Sequence, residues 1–339
     1  MSQPLNRQRS SFGDGLHNPA FMAPLGQPEA AKTDGIVNSA DLDAMVFPDP
    51  KWVLPGYLCE GLALLAGRPK LGKSWLALGL ADAIASGKPA LGTIEVEAGD
   101  VLYLGLEDTQ RRLQMRLRAV RQGSSASPRL ELKTRLHKLD AGGLDEIRAW
   151  LADHPQARMV VIDTFQKVRG KPPSRNAGVY EADYDALSGL KTLADEFGVA
   201  ILAVLHLRKS AADDPLDEIS GSTGMTGSAD AILILKRDRA NADAVLYATG
   251  RDIEEIESAL QFDHNTGLWT LLGSAAEFRQ SKERNAILRV LIDAGAPMTA
   301  KDVAETLSKN PNTTKALLRK MSIDGLVTKA DRGRYAAIC

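Results

Sequence analysis

Residues 64–78 read "LLAGRPKLGKSWLAL". Within them, Gly67 to Ser74 follow the pattern G-x-x-x-x-G-K-S. The apolar run "GLALLA" (Gly61 to Ala66) comes before it and has the length of a strand. After it, "WLALGLADAIASG" carries apolar residues at helical spacing. A glycine loop between a strand and a helix is the setting in which this pattern cradles phosphate. Gly67 and Gly72 allow backbone angles closed to other residues. The loop amides and the positive end of the next helix then face an anion. The expected cradle is Gly67, Arg68, Pro69, Lys70, Leu71, Gly72, Lys73 and Ser74. Lys73 reaches the outer phosphates, and the Ser74 hydroxyl ligates Mg²⁺. Pro69 need only stiffen the loop, and Lys70 need only meet water.

Outward from this loop, apolar strand-like runs alternate with helical patterns. "DVLYLGLE", "RMVVID" and "VAILAVLHL" are strands; "TQRRLQMRLRAVRQ", "LDEIRAWLADH" and "YEADYDALSGLKTLADEFG" are helices. The alternation predicts an α/β core, a mostly parallel sheet with helices on both faces. "DAILILKRDRANADAVLYATGRD" then reads as two strands with a polar turn, and "LQFDHNTGLWTLL" as a hairpin bending at Asn-Thr-Gly. Residues 1–45 lack periodicity and are rich in Pro, Gly, Ser, Asn and Gln, which suits a mobile arm. The expected organisation is therefore an arm at 1–45, an ATPase-type domain at 46–273, a linker at 274–281 and a small domain at 282–339.

A chain of 339 residues has room for about two domains. Cys59 and Cys339 are its only cysteines, so there is no disulfide framework and a reducing cytoplasm fits. No apolar run reaches membrane-spanning length, and the N-terminus has no signal-type core. The net charge of −1 hides an asymmetry. Residues 280–339 carry 11 Lys and Arg against 6 Asp and Glu, a net of +5, which leaves −6 on the rest. A basic terminal module suggests an anionic partner such as nucleic acid.

The strand ends supply further candidates. "MVVIDTF" ends a strand at Asp163, and an acid beside the phosphate loop can hold Mg²⁺ through water. "YLGLEDT" ends another with two acids; Glu107 is assigned to orient the attacking water and Asp108 to the helix cap, with Thr109 as the other capping candidate. "AILAVLHLRK" ends a third at His206, which either touches the γ-phosphate or is a satisfied core histidine. "YATGRDIEE" sets Arg251 just past a strand. A cationic fork suits the charge on a transferring phosphoryl group, and across a subunit boundary it would demand an oligomer; a solvated pair with Asp252 is the alternative.

"GRPKLGKS", "LGLED", "VVIDT", "VLHLRK", "GSTGMTGSADAILIL" and "GRD", in that order, resemble the RepA-type hexameric helicases. These lie within the RecA-like ATPases that include the DnaB-type replicative helicases, and such chains are common in phages, plasmids and integrated elements. The resemblance covers residues 46–273. It implies ATP and Mg²⁺ as cofactors, Lys73 and Ser74 on phosphate and metal, and Glu107 as the catalytic glutamate. It also implies Asp163 as the metal-linked aspartate, His206 as the sensor, and Arg251 acting in trans within a homo-oligomer. Plasmid relatives often pair histidines at the sensor, whereas here His206 stands between leucines.

Two loops after the strands ending at Asp163 and His206 would line the channel of such a ring. The first offers Lys167, Arg169, Lys171 and Arg175, and the second opens with Arg208 and Lys209. Cations of this kind track single-stranded DNA by its phosphates without reading sequence. The C-terminal segment reads as three helices and a hairpin, resembling a winged helix-turn-helix. Its third helix presents Lys315, Arg319 and Lys320 to duplex DNA, or the domain serves to dock a replication protein. The function these features imply is an ATP-hydrolysing ring motor on DNA, a replicative helicase of a mobile element. A non-unwinding ATPase that loads proteins on DNA and an ATP-gated DNA-binding regulator are the alternatives.

Overall fold

The long strands are unbroken apolar runs, and such runs need cover on both faces of their sheet. The computed structural model describes residues 36–170, 179–207, 226–237, 243–330 and 333–338. The chain divides into two units, one ending at Asp49 and one beginning at Pro50. The first contains α1 (Ser39–Ala44), capped by the Asn38 side chain on the Asp41 amide at 2.9 Å. This helix falls inside the segment expected as an arm, and residues 1–35 lie outside the described residues.

The second unit opens with a hairpin of β1 (Trp52–Leu54) and β2 (Leu58–Cys59). Then follow β3 (Gly61–Gly67), α2 (Lys73–Ser86), β4 (Asp100–Gly105), α3 (Gln110–Arg121), β5 (Leu130–Lys133) and α4 (Gly143–Asp153). Next come β6 (Ala157–Asp163), α5 (Val179–Phe197), β7 (Ala200–His206), β8 (Ala231–Arg237), β9 (Asp243–Gly250), β10 (Ile256–Phe262) and β11 (Trp269–Ser274). Strands β3 to β11 form one nine-stranded sheet in the order β11-β10-β9-β8-β3-β7-β6-β4-β5. From β8 to β5 all pairs are parallel; β9, β10 and β11 extend the edge as an antiparallel meander. Both hairpins expected in this stretch are present, with Gly267 at φ +71 in the second bend.

Side chains alternate across the sheet, so β3 serves two cores. Ala63 and Leu65 pack with α2 and α3, whereas Leu62, Leu64 and Ala66 pack with α4 and α5. Each fully buried leucine contributes about 1.5–3 kcal/mol. The register then decides where function can sit. Gly67 pairs with His206 and Leu235, and Gly105 with Asp163, so the carboxyl ends of the parallel strands meet along one edge.

The C-terminal part comprises α6 (Ala275–Ala294), β12 (Met298–Thr299), α7 (Ala300–Thr306), α8 (Pro311–Ile323), β13 (Val327–Ala330) and β14 (Arg334–Ala337). Thr299 caps α7 in a reciprocal capping box with Asp302, as its position before "AKDVAET" predicts. Ile287, Leu291, Val303, Leu318, Met321, Val327 and Tyr335 form a separate small core. Residues 274–281, expected as a linker, are instead the cap and opening turns of α6, where Ala275 is buried. That segment contains neither proline nor glycine, so nothing in it stops a helix. Among the described residues no helix is long and apolar enough to cross a membrane.

Candidate functional site

The loop after β3 turns at Gly72, whose φ of +99 is left-handed and which caps α2. A side chain there would be strained, and its Cβ would stand 3.0 Å from the Trp269 ring. Trp269 braces the turn further by donating Nε1–H to the Gly72 carbonyl at 3.1 Å. Gly67 is needed for proximity, since a Cβ would meet the Leu235 carbonyl at 2.8 Å. Leu71 anchors the loop in the core, while Arg68, Pro69 and Lys70 are exposed.

Lys73 is buried, and its Nζ donates to the carbonyls of Gly67 at 2.6 Å and Arg68 at 3.0 Å. It also lies 3.1 Å from Nδ1 of His206. Burial pulls the Lys73 ammonium down to about 8, against the opposing pull of Asp163 and Glu107. Burial, and then the Lys73 charge, lower His206 as well. His206 is half-buried and lines the same cleft as Lys73, so it is not sealed in the core.

Asp163 is buried at the end of β6. It accepts hydrogen bonds from the Tyr103 hydroxyl at 2.7 Å and from the Ser74 side chain. Burial raises its carboxyl above the usual range, and these two donors offset part of that rise. Ser74 and Asp163 are hard oxygen donors already in contact, a set that fits Mg²⁺. Among the described residues no group of three His, Cys, Asp or Glu could hold a metal. A bound Mg²⁺ would therefore take its remaining ligands from phosphate and water.

Glu107 is exposed and lines the cleft, of about 360 Å³, with Lys73, Ser74, Asp163 and His206. Asp108 does not cap α3. Its side chain is nearly buried in ion pairs with Arg112, at 3.0 Å, and Arg116. The cap is Thr109, which accepts from the Arg112 amide at 3.3 Å. Two arginines draw Asp108 away from the helix end, and the neighbouring hydroxyl takes its place. Arg116 lies 5.3 Å over the Trp75 ring, and both line the cleft. Phe262 and His264, from β10 and the bend after it, complete its far wall. No local pattern marks Trp75, Arg116, Phe262, His264 or Trp269 in the sequence, because each acts through a neighbour remote in the chain.

Arg251 lies elsewhere. Gly250 pairs with Ala231, at the opposite end of β8 from Leu235, which pairs with Gly67. Arg251 Nη1 is 3.6 Å from Asp230, whose carboxylate also binds the Leu62 amide at 2.8 Å. Leu62 and Gly67 are five residues apart on β3, roughly 16 Å of strand. The expected alternative of a pair with Asp252 gives way to Asp230, because the backbone amide of Arg251 bonds the Asp230 carbonyl at 2.9 Å and brings the two together.

Lys167 is exposed in the short turn after Asp163, and Arg169 is half-buried beside it. Lys171, Arg175, Arg208 and Lys209 lie outside the described residues. Lys315, Arg319 and Lys320 are exposed on α8, which buries Thr314, Leu318 and Met321 on its other face.

A mostly parallel sheet, a glycine loop from strand to helix, and an acid on a strand end beside it define the RecA-like fold of the P-loop ATPases. A family model described as an AAA domain matches residues 27–212, more than half of the chain, and the chain belongs to that family. The match begins within the segment expected as an arm and ends before β8. Among solved structures, one described as an ATPase domain aligns with a TM-score of 0.50 and 18% identity, over 63% of this chain and 85% of that one. A DnaB-like replicative helicase, solved with its interactions with primase in view, aligns with a TM-score of 0.50 and 19% identity over 62% of this chain. That match spans 58% of the helicase's own chain. At such identities the likeness is one of fold.

Proposed function

We propose that this protein is an ATP-hydrolysing ring motor acting on DNA, a replicative helicase of the RepA type from a phage, plasmid or integrated element. The observation that carries the reading is the division of the sheet. Lys73, Ser74, Glu107, Asp163 and His206 share one cleft, whereas Arg251 sits on the opposite end, out of reach of it. An arginine so placed cannot reach the nucleotide of its own chain, so a catalytic Arg251 requires a nucleotide held by another copy. That supports a homo-oligomer, six-membered as in the helicases the chain resembles.

In this reading Lys73 leaves its own loop carbonyls and pairs with the outer phosphates. Ser74 and Asp163 hold Mg²⁺, which when bound neutralises charge on the phosphate oxygens. Glu107 orients the attacking water and takes its proton. Arg251 of one copy meets the charge developing on the phosphoryl group in the next. Lys167 and Arg169, with Lys171, Arg175, Arg208 and Lys209, follow single-stranded DNA through the channel. Residues 282–339 act as a winged-helix domain; three helices with a three-stranded sheet support this. Its exposed Lys315, Arg319 and Lys320 face duplex DNA or a replication protein.

Mass measurement of the purified protein, with and without ATP and single-stranded DNA, paired with ATPase and strand-displacement assays, tests the reading. A nucleotide-dependent ring whose turnover rises with single-stranded DNA is expected. A strict monomer with DNA-independent turnover would overturn it, and a ring that hydrolyses ATP without displacing strands would leave a loader.

A further inference from the structure

Tyr103 has no exposed surface. Its neighbours on β4, Val101, Leu102 and Leu104, are buried and apolar, and phenylalanine would fill the same space. A phenol cut off from water needs a partner inside the protein. Here the hydroxyl donates to Asp163 Oδ2 at 2.7 Å and faces the Ser74 carbonyl at 3.4 Å. The register explains the reach. Tyr103 pairs with Val161, two residues before Asp163 on the adjacent parallel strand, so its ring lies on the face to which Asp163 also points.

We propose that Tyr103 is a positioning residue for metal-dependent nucleotide binding: its hydroxyl pins one carboxylate oxygen of Asp163 to the sheet and leaves the rest for the metal's water shell. The proposal rests on the reading of the cleft as a site for Mg²⁺ and nucleotide. Asp163 has a second holder, Ser74, in the first turn of α2, but the Ser74 hydroxyl is also the group expected to ligate Mg²⁺. Held by Ser74 alone, the carboxylate would lose its partner when that hydroxyl turned to the metal. Held from β4 as well, it keeps its orientation at the end of β6. Removing a partner that orients a metal-linked group costs about 10–100-fold in metal affinity.

The test is Tyr103→Phe, which keeps the ring and deletes one oxygen. A fluorescent ADP analogue is titrated into wild type and variant, once in EDTA and then over a Mg²⁺ series. The expected result is unchanged affinity in EDTA and a Mg²⁺ midpoint raised by about 10-fold or more. An unshifted midpoint overturns the proposal, even if the melting temperature falls, since Tyr103 would then serve packing alone. An equal loss with and without metal overturns it too. Asp163→Asn supplies a cycle: in that background Tyr103→Phe should move the midpoint no further, and additive shifts would contradict the coupling. A wild type whose nucleotide affinity ignores Mg²⁺ would instead bring down the reading of the cleft, and the proposal with it.

Discussion

The Lys73 ammonium and the His206 ring share a hydrogen bond of 3.1 Å between Nζ and Nδ1. An ammonium only donates, so Nδ1 accepts and the neutral ring carries its proton on Nε2. A phosphate drawn to Lys73 competes with His206 for the same group, and binding frees the imidazole. His206 closes β7, directly before a segment proposed to meet DNA. His206→Ala should therefore keep near-normal nucleotide affinity, because phosphate takes the place of the missing ring, yet lose the stimulation of ATPase by single-stranded DNA. Equal stimulation in variant and wild type would remove His206 from the coupling.

Lys73 also sets a pH dependence. In the free protein it loses its proton around pH 8. Bound phosphates favour the charged form and raise that value, so the complex holds more protons than the free protein. Nucleotide affinity should be full below pH 8 and fall by about tenfold per pH unit above it. Titrations from about pH 7 to about pH 9.5 check the slope. Lys73→Arg, which stays charged, should flatten the curve if it binds at all.

The two acids after β4 should separate cleanly. Glu107→Gln should bind nucleotide and lose about 10²–10⁴ in turnover, with an unchanged melting temperature. Asp108→Asn breaks ion pairs to Arg112 and Arg116, so it should lower the melting temperature more than the rate. The reverse pattern would exchange their roles.

Arg251→Ala should bind nucleotide and hydrolyse it poorly, by about 10³–10⁵. Its removal also frees Asp230, which keeps Lys191 at 3.0 Å, so the fold should survive. Mixing Arg251→Ala with Lys73→Ala should restore some activity, since some interfaces then unite an intact loop with an intact arginine. Full activity of Arg251→Ala alone would end its part in the mechanism.

Replacing Lys315, Arg319 and Lys320 together by alanine touches only the exposed face of α8. Single-strand-stimulated ATPase should persist while duplex binding weakens. In a salt series the slope should shrink by about one for each phosphate that the variant no longer neutralises. An unchanged duplex affinity would favour a protein partner for this domain.

What the chain discloses before folding follows from the range of the interaction. The phosphate loop and the strand ends at Asp163 and His206 are local patterns, and each falls where its pattern predicts. Trp269 behind Gly72 and Tyr103 behind Asp163 pair residues far apart in sequence, and no spacing rule links them. Asp108 shows the limit most plainly. Acid and hydroxyl are both good caps, and Arg116, two turns further along α3, decides between them. The helical start of α6 is hidden for a similar reason: Gly-Ser before an alanine pair reads as a linker until the sheet edge packs on it.

That helix has a mechanical consequence. Twenty residues of α6 span about 30 Å. One end rests on β10 and β11, and the other supplies Ile287 and Leu291 to the C-terminal core. Trp269, at the start of β11, holds the Gly72 carbonyl of the phosphate loop, and β11 runs straight into α6. The loop, the strand and the helix thus form a continuous crank. A tilt of about 10° at the sheet edge carries the far end of a helix this long about 5 Å. A slack tether would let the C-terminal core wander; a continuous helix instead ties it to the sheet edge that also braces the phosphate loop.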